Sequence, residues 1–339
     1  MSENGSELMV TIHCLVYNHE KYLRQCLDGF VNQKTNFKYK AVVHDDASTD
    51  RSAEIIREYS MRYPTIIEPI IETENLYTKG FAKLAAVMDE ACTKGRYIAF
   101  CEGDDYWSDP YKLQKQFDYM ENHPECSLLH TAFKFYDEEN RTFHDSLVDQ
   151  EEYRKCKEEN LNVACEVFDF NYRVVTASSF LRTSIYLHVI SDPDYYKYSF
   201  FLGDIQLWTM MLQYGEIGYL PDYTTVYRVH ADSACRQTNM ERGARNSLDI
   251  SEMQMHFLPK VKGGEYLRNK IAKNFRINLF KYRLFNPQYK SFVNDDDCKL
   301  NSFYEFVLSF SFLRYLIKGC WKCKRRMMGN SPTKIESMK

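Results

Sequence analysis

Neither sign of charge is in excess: 44 Lys and Arg stand against 47 Asp and Glu, a net −3 over 339 residues. General nucleic-acid binders rest on a basic surplus, so no nucleic-acid partner is expected. The chain does not open on an apolar secretory segment, and its 11 cysteines lack disulfide-like spacing. Both features predict reduced thiols and a cytoplasmic protein. The one C-x-x-C, Cys320 to Cys323, has no second pair to complete a four-ligand zinc site. No uncharged run approaches the ~20 residues of a membrane span, and internal repeats are lacking. What is present is a globular balance, 44 % apolar, with material for one large α/β domain and a smaller appendage. Tyrosine and phenylalanine are plentiful at 26 and 22, which suits both a core and sugar-stacking surfaces.

The first hundred residues alternate between two periodicities. Val10–Val16 is an apolar run ending in the turn Tyr17-Asn18-His19, and Glu20–Val31 carries apolar residues at helical spacing. Tyr39–His44 reads as a second strand. The polar cluster Asp45-Asp46-Ala47-Ser48-Thr49-Asp50 follows it, with Asp50 as N-cap of a helix over Arg51–Arg62. Ile66–Ile71 and Tyr97–Cys101 are further strands, separated by a helix over Phe81–Thr93. Such alternation implies a doubly wound, mainly parallel sheet, whose ligands bind at the carboxyl ends of the strands. Asn18, Asp45–Asp50 and Glu102–Asp105 all fall on that rim. The middle of the chain mixes strands with an acidic, Lys-rich surface excursion at Gln150–Asn160. From about Ala234 it turns helical, near Ser247–Leu258, Tyr266–Leu284 and Phe303–Ile317. The 328–339 tail has little apolar content and is expected to be disordered.

Glu102-Gly103-Asp104-Asp105 places three carboxylates within four residues, just after a buried strand. Such crowding is costly unless a cation neutralises it, and oxygen ligands suit Mg²⁺ or Mn²⁺ with substrate phosphates. A solvated acidic loop would read the same way. Asp45 and Asp46 offer carboxylates that can accept the imide N–H of a uracil. Turn chemistry and helix capping also favour Asp there.

The run from Val10 through Asn18 to Asp45-Asp46-Ala47-Ser48-Thr49-Asp50 resembles the start of family 2 glycosyltransferases. Glu102-Gly103-Asp104-Asp105-Tyr106-Trp107, continuing as Asp109-Pro110-Tyr111-Lys112-Leu113, resembles their D-x-D segment. The likeness covers about the first 230 residues, in order and in spacing. It implies the GT-A fold, a divalent metal (Mn²⁺ or Mg²⁺), a nucleotide-sugar donor and inversion at the anomeric centre. Carried over by position, Asp46 contacts the nucleobase with Asp45 nearby, and Tyr17 and Asn18 line the nucleotide pocket. Lys79 is the base-contacting residue of the Asn75–Gly80 turn. Glu102 addresses the ribose or donor, in place of the more usual Asp, and Asp104 is the metal ligand. Phe201-Leu202-Gly203-Asp204 resembles the segment that supplies the catalytic base, which makes Asp204 that base. Tyr227-Arg228-Val229-His230 resembles the late motif whose His serves the metal or diphosphate, here His230. Asp204 also reads as a plain N-cap, and His230 as an ordinary histidine after a strand.

On the acceptor side, Trp107, Trp208 and the aromatic Tyr195–Phe201 are expected to stack on sugar rings, with Ser178 and Ser179 offering hydroxyls to a saccharide or lipid-linked saccharide. Phe303, Phe306, Val307, Phe310, Leu313 and Ile317 share a helical face ahead of Lys318, Lys322, Lys324, Arg325 and Arg326. That pattern suits peripheral contact of 303–326 with an anionic cytoplasmic leaflet, and equally a helix packed on the enzyme. The expected organisation is a 1–235 GT-A catalytic domain, divided into a 1–106 nucleotide-binding half and a 107–235 acceptor half. A 236–327 helical extension and the tail follow. Three other readings stand beside the transferase: a nucleotidyltransferase, disfavoured because Val10–Glu20 has no glycine for a phosphate loop; a glycosidase, which would use paired acids but needs no nucleotide pocket; and a non-catalytic glycan- or nucleotide-binding protein.

Overall fold

A computed structural model describes residues 7–145, 148–198, 200, 202–231 and 239–327. Phe201, residues 236–238 of the expected extension and the 328–339 tail lie outside them. The first strand, β1 (Leu8–Val16), is buried on both faces, as the middle of a parallel sheet requires. Then come α1 (Leu23–Val31), β2 (Lys38–Asp45), α2 (Ser52–Arg62), β3 (Ile67–Ile71), α3 (Phe81–Cys92) and β4 (Tyr97–Phe100). The expected alternation appears throughout, with boundaries within two residues except at the start of α1. There Glu20 is held by the loop after β2: its N–H donates to Asp50 Oδ2 at 3.0 Å, and its own carboxylate accepts from Arg51 N–H. Asp50 caps as expected from one residue further out, accepting the Ser52 N–H at 2.9 Å.

After β4 come β5 (Tyr106–Trp107), α4 (Lys112–Asn122), β6 (Cys126–Asp137) and β7 (Thr142–Asp145). The acidic excursion forms α5 (Val148–Glu158), followed by α6 (Val163–Phe168), β8 (Phe180–Arg182), α7 (Thr183–Ile190), α8 (Gly203–Met211) and β9 (Glu216–Val229). The strand order is β3-β2-β1-β4-β8-β6-β9-β5, with β7 on β6. The β3-β2-β1-β4 half is parallel, and so is β6–β9, while β5, β7 and β8 pair antiparallel. Because β1 has β2 on one side and β4 on the other, the strand order reverses there. This is the crevice where open α/β sheets bind ligands.

Two compact units emerge: Met1–Ser199 with Leu207–His230, and Phe200–Gln206 with Ala231–Lys339. In the second, α9 (Met240–Phe257) pairs with α10 (Arg268–Arg283). The fully buried Glu252 of α9 accepts from Tyr289 Oη at 2.9 Å and faces Arg245 at 3.2 Å. The single helix expected over Phe303–Ile317 is two, α11 (Ser302–Ser309) and α12 (Ser311–Met327), broken where Phe310 turns extended (φ −107°, ψ 117°). Among the described residues no helix is long and apolar enough to cross a membrane.

Candidate active site

The rim is assembled from three strand ends. At the end of β1, Asn18 adopts φ 58°, a left-handed conformation that Asn tolerates. Its side-chain oxygen accepts the Thr49 N–H at 2.8 Å, and its own N–H donates to Ser48 Oγ at 2.9 Å. Asn18 thus ties the turn after β1 to the loop after β2. Beside it Tyr17 keeps 48 % of its surface exposed. At the end of β2, Asp46 accepts from the N–H groups of Leu76 (2.6 Å) and Tyr77 (3.1 Å), so both its oxygens hold the 75–79 turn. Asp45 spends Oδ2 on the Ser48 N–H at 3.1 Å, while Oδ1 is buried with no hydrogen-bond partner in the protein. Lys79, in that turn, is paired with Glu74.

The third strand end carries the acidic segment. Gly103 allows it to lie against the turn after β1: a Cβ there would come within 2.8 Å of His19 Nδ1 and 2.9 Å of a Val16 methyl. The chain then enters β5, whose antiparallel register sets Tyr106 opposite Val226 of β9. Continued outward by two residues, that register brings position 104 to position 228. Accordingly, the Arg228 N–H donates to Asp105 Oδ1 at 2.7 Å and its Nε to the Asp104 carbonyl at 2.8 Å. Two residues on, His230 Nε2 lies 3.0 Å from Asp104 Oδ2. From the other side His19 Nε2 is 3.9 Å from the same oxygen.

Arg228 and His19 are the residues that motif reasoning passed over. Arg228 is 5 % exposed, with its guanidinium within 4.8–5.6 Å of the ring centres of Tyr22, Tyr106 and Tyr136. It also donates to Glu138 and to Gln25, each at 2.7 Å. The sequence did hold a sign of it, since Val226, Arg228 and His230 share one face of a strand. A charge at the inward parity of a buried strand needs a partner.

The carboxylates respond differently to this setting. Burial drives the Asp105 carboxyl well above its usual range, and the neighbouring Asp104 and Glu102 charges add to it. Burial also raises Asp104, but the hydrogen bond from His230 and the charges of His19 and His230 outweigh it and leave this carboxyl below its usual value. His19 is pushed down by burial, against the pull of Asp104. Arg228 therefore offsets part of the loop's negative charge, and of Asp104 and Asp105 it is Asp104 whose ionised form this setting favours.

Residues 11–177 match the family model described as "Glycosyl transferase family 2". This part of the chain belongs to the family 2 glycosyltransferases. A mycobacterial protein, from Mycobacterium tuberculosis, is 33 % identical over 226 residues, 66 % of this chain and 59 % of its own length. The chain thus spans about three-fifths of that relative. S. aureus TarS 1–349, solved with UDP-GlcNAc, superposes with a TM-score of 0.55 at 17 % identity, over 82 % of this chain and 73 % of that one. The mannosyltransferase PcManGT from Pyrobaculum calidifontis, solved with GDP-Man and Mn²⁺, gives 0.54 at 13 % identity, over 93 % and 88 %. These two likenesses establish the GT-A fold.

GT-A glycosyltransferases commonly use a divalent metal, and the glycosyltransferase domain has a matching pair of donors. Asp104 Oδ2 and His230 Nε2, 3.0 Å apart, have the spacing of neighbouring ligands on an octahedral ion with bonds of about 2.1 Å. Among the described residues no three His, Cys, Asp or Glu side chains form a metal cluster. Two such donors would leave the remaining positions of an ion to phosphates and water, as Mg²⁺ habitually takes them.

The acceptor-side expectations meet a different outcome. Trp107 is buried, donates Nε1–H to the Ala177 carbonyl at 2.9 Å and lies under the Lys112 ammonium. Trp208 is wholly buried, edge-on to Phe100. Ser178 and Ser179 are also buried, donating inward to the carbonyls of Val175 and Thr176 at 2.7 Å each. None of the four offers a face to a sugar, because aromatic rings and small hydroxyls at a strand crossing satisfy the core first. Asp204 opens α8, and its Oδ1 accepts the Ile205 N–H at 2.9 Å.

Proposed function

We propose that this chain is an inverting, metal-dependent glycosyltransferase that moves a sugar from a UDP-sugar to a hydroxyl of a glycan or lipid-linked saccharide. What carries the reading is Asp104 Oδ2, 3.0 Å from His230 Nε2, at the rim where the strand order reverses about β1. Tyr17, Asn18 and Lys79 are assigned to the nucleotide pocket, and Asp45 and Asp46 to the uracil imide. Of that pair Asp45 has the oxygen without a hydrogen-bond partner in the protein, its buried Oδ1. Glu102 is assigned to the ribose or donor sugar. Asp104 and His230 would hold Mn²⁺ or Mg²⁺, which when bound supplies positive charge to the departing diphosphate.

Asp204, at a helix N-terminus, is favoured as a carboxylate and takes the acceptor's proton as its oxygen bonds the anomeric carbon. Attack comes from the face opposite the diphosphate, so the configuration inverts. The work is assigned to the cytoplasmic side of a membrane, in keeping with nine described cysteines that are all free. The pathway is polysaccharide assembly, the setting the family resemblance suggests.

A thermal-shift series with UDP, GDP, CDP and dTDP, each with and without Mn²⁺, tests this. A ligand at a hundredfold excess over its Kd stabilises by about 2.7 kcal/mol. The expected result is a Mn²⁺-dependent rise with UDP, absent in Asp104→Ala. In Asp204→Asn the rise is kept while turnover is lost. No rise with any nucleotide in folded protein would replace the enzyme with a glycan-binding domain. A product that keeps the donor's anomeric configuration would overturn inversion.

A further inference from the structure

In a helix of a soluble domain the apolar stripe faces the core and the charges face water. In α12 the arrangement is reversed. Phe312 (68 % exposed), Tyr315 (73 %), Leu316, Gly319 and Cys320 follow one another at helical spacing, and all are exposed without a charge among them. The charged residues of the same stretch turn the other way. Arg314 reaches the Leu308 carbonyl, and Lys318 lies over the Phe285 ring at 5.2 Å, next to Trp321. On the preceding helix Phe303 and Phe306 are equally bare, and Phe310 at the break adds a third ring. Seven basic residues and no acid lie between Glu305 and Glu336, four of them at Lys322, Lys324, Arg325 and Arg326.

We propose that α11 and α12 form a surface that docks on an anionic lipid bilayer, with the Phe312–Tyr315–Leu316 face entering the headgroup region. The occupant follows from charge and side-chain type together. Aromatic rings with a wet edge settle at a membrane interface, and a basic run beside them is attracted to acidic headgroups. Another copy of this chain would bring the same positive run against itself. Among the described residues no helix is long and apolar enough to cross a membrane, so the proposed contact is with the bilayer surface. The surface needs no nucleotide, so its failure would leave the transferase reading untouched.

The test is co-sedimentation of the full chain with vesicles of phosphatidylcholine alone or with phosphatidylglycerol, alongside size-exclusion chromatography and circular dichroism. Wild type is expected on the anionic vesicles only. The variant Lys322→Gln/Lys324→Gln/Arg325→Gln/Arg326→Gln is expected to bind at least about a hundredfold more weakly. Phe312→Ser/Tyr315→Ser/Leu316→Ser should lose about tenfold or more, with unchanged elution. Should the serine variant misfold, the charge variant, which alters only polar positions, decides the matter. Wild type that ignores vesicles, binds both kinds equally, or matches both variants would overturn the proposal. A wild-type dimer that the serine variant turns into monomer, with no vesicle binding, would assign the face to self-association instead.

Discussion

Arg228 has its guanidinium against three rings and its donors spent on Asp104, Glu138 and Gln25. A planar fork is needed for this, because the three donors of an ammonium spring from a single nitrogen, which cannot reach acceptors set around a guanidinium or lay a flat face on the rings. Removing it takes away the positive charge set against the buried Asp105, which lies beside Asp104 and Glu102. Arg228→Met is therefore expected to destabilise the protein by about 3 kcal/mol, read from urea midpoints. Arg228→Lys should recover part of that stability, yet bind nucleotide more weakly than wild type, since it cannot fix the carbonyl of Asp104. At this scale the sequence was legible where a residue's chemistry is local. The Asn18 turn, the Asp50 cap and the acidic run all stood where their neighbours indicated. The roles of His19 and Arg228 were not legible, although strand parity marked Arg228 as an inward charge, because they depend on contact with Asp104, 85 and 124 positions away in the chain. Trp107 and Trp208 misled for the converse reason, since an indole reads the same whether it stacks on a sugar or fills a core.

Elements with one strong period were recovered almost whole, because β1 and β4 are buried on both faces, β2 is so over its second half, and their helices are buried on one. Two-residue β5 was invisible: it has no period of its own and exists because β9 offers it a partner. Yet β5 sets the register of the acidic segment on Arg228 and His230. The segment has little room to slide. Gly29 of α1 lies so close to Trp107 of β5 that an added Cβ would meet its carbonyl oxygen at 3.0 Å, and Gly103 is tighter still. Gly103→Ala should push the segment away from His19 and Val16 and cost about 1–3 kcal/mol. A lowered melting temperature together with a lost nucleotide response is the expected signature. An unchanged response would mean that the segment adjusts without moving Asp104.

At the scale of the whole molecule, the chain leaves its first unit at residue 200, returns at 207 and leaves again at 231. No single cut separates the units. In the second unit Phe200 is buried, its ring within 6.2 Å of those of His256, Phe257 and Phe292. A fragment 1–230 would keep Phe200 and lose all three. It is expected to unfold at lower temperature than the full chain and to bind a hydrophobic dye more strongly. Equal melting temperatures and dye binding would show residues 200–206 to be indifferent to the helices of the second unit. Composition could not announce this interleaving, because the rings concerned lie 56 to 92 positions apart along the chain.

The same detour has a consequence during synthesis. A ribosome adding about 5–20 residues each second brings out Phe292 roughly 5–20 s after Phe200. For that interval the start of α8, Asp204 included, belongs to a unit whose other strands of chain have not yet been made. Until then Phe200 lacks at least one of the three rings it packs against in the folded unit, although every residue of β1 to β4 has been made.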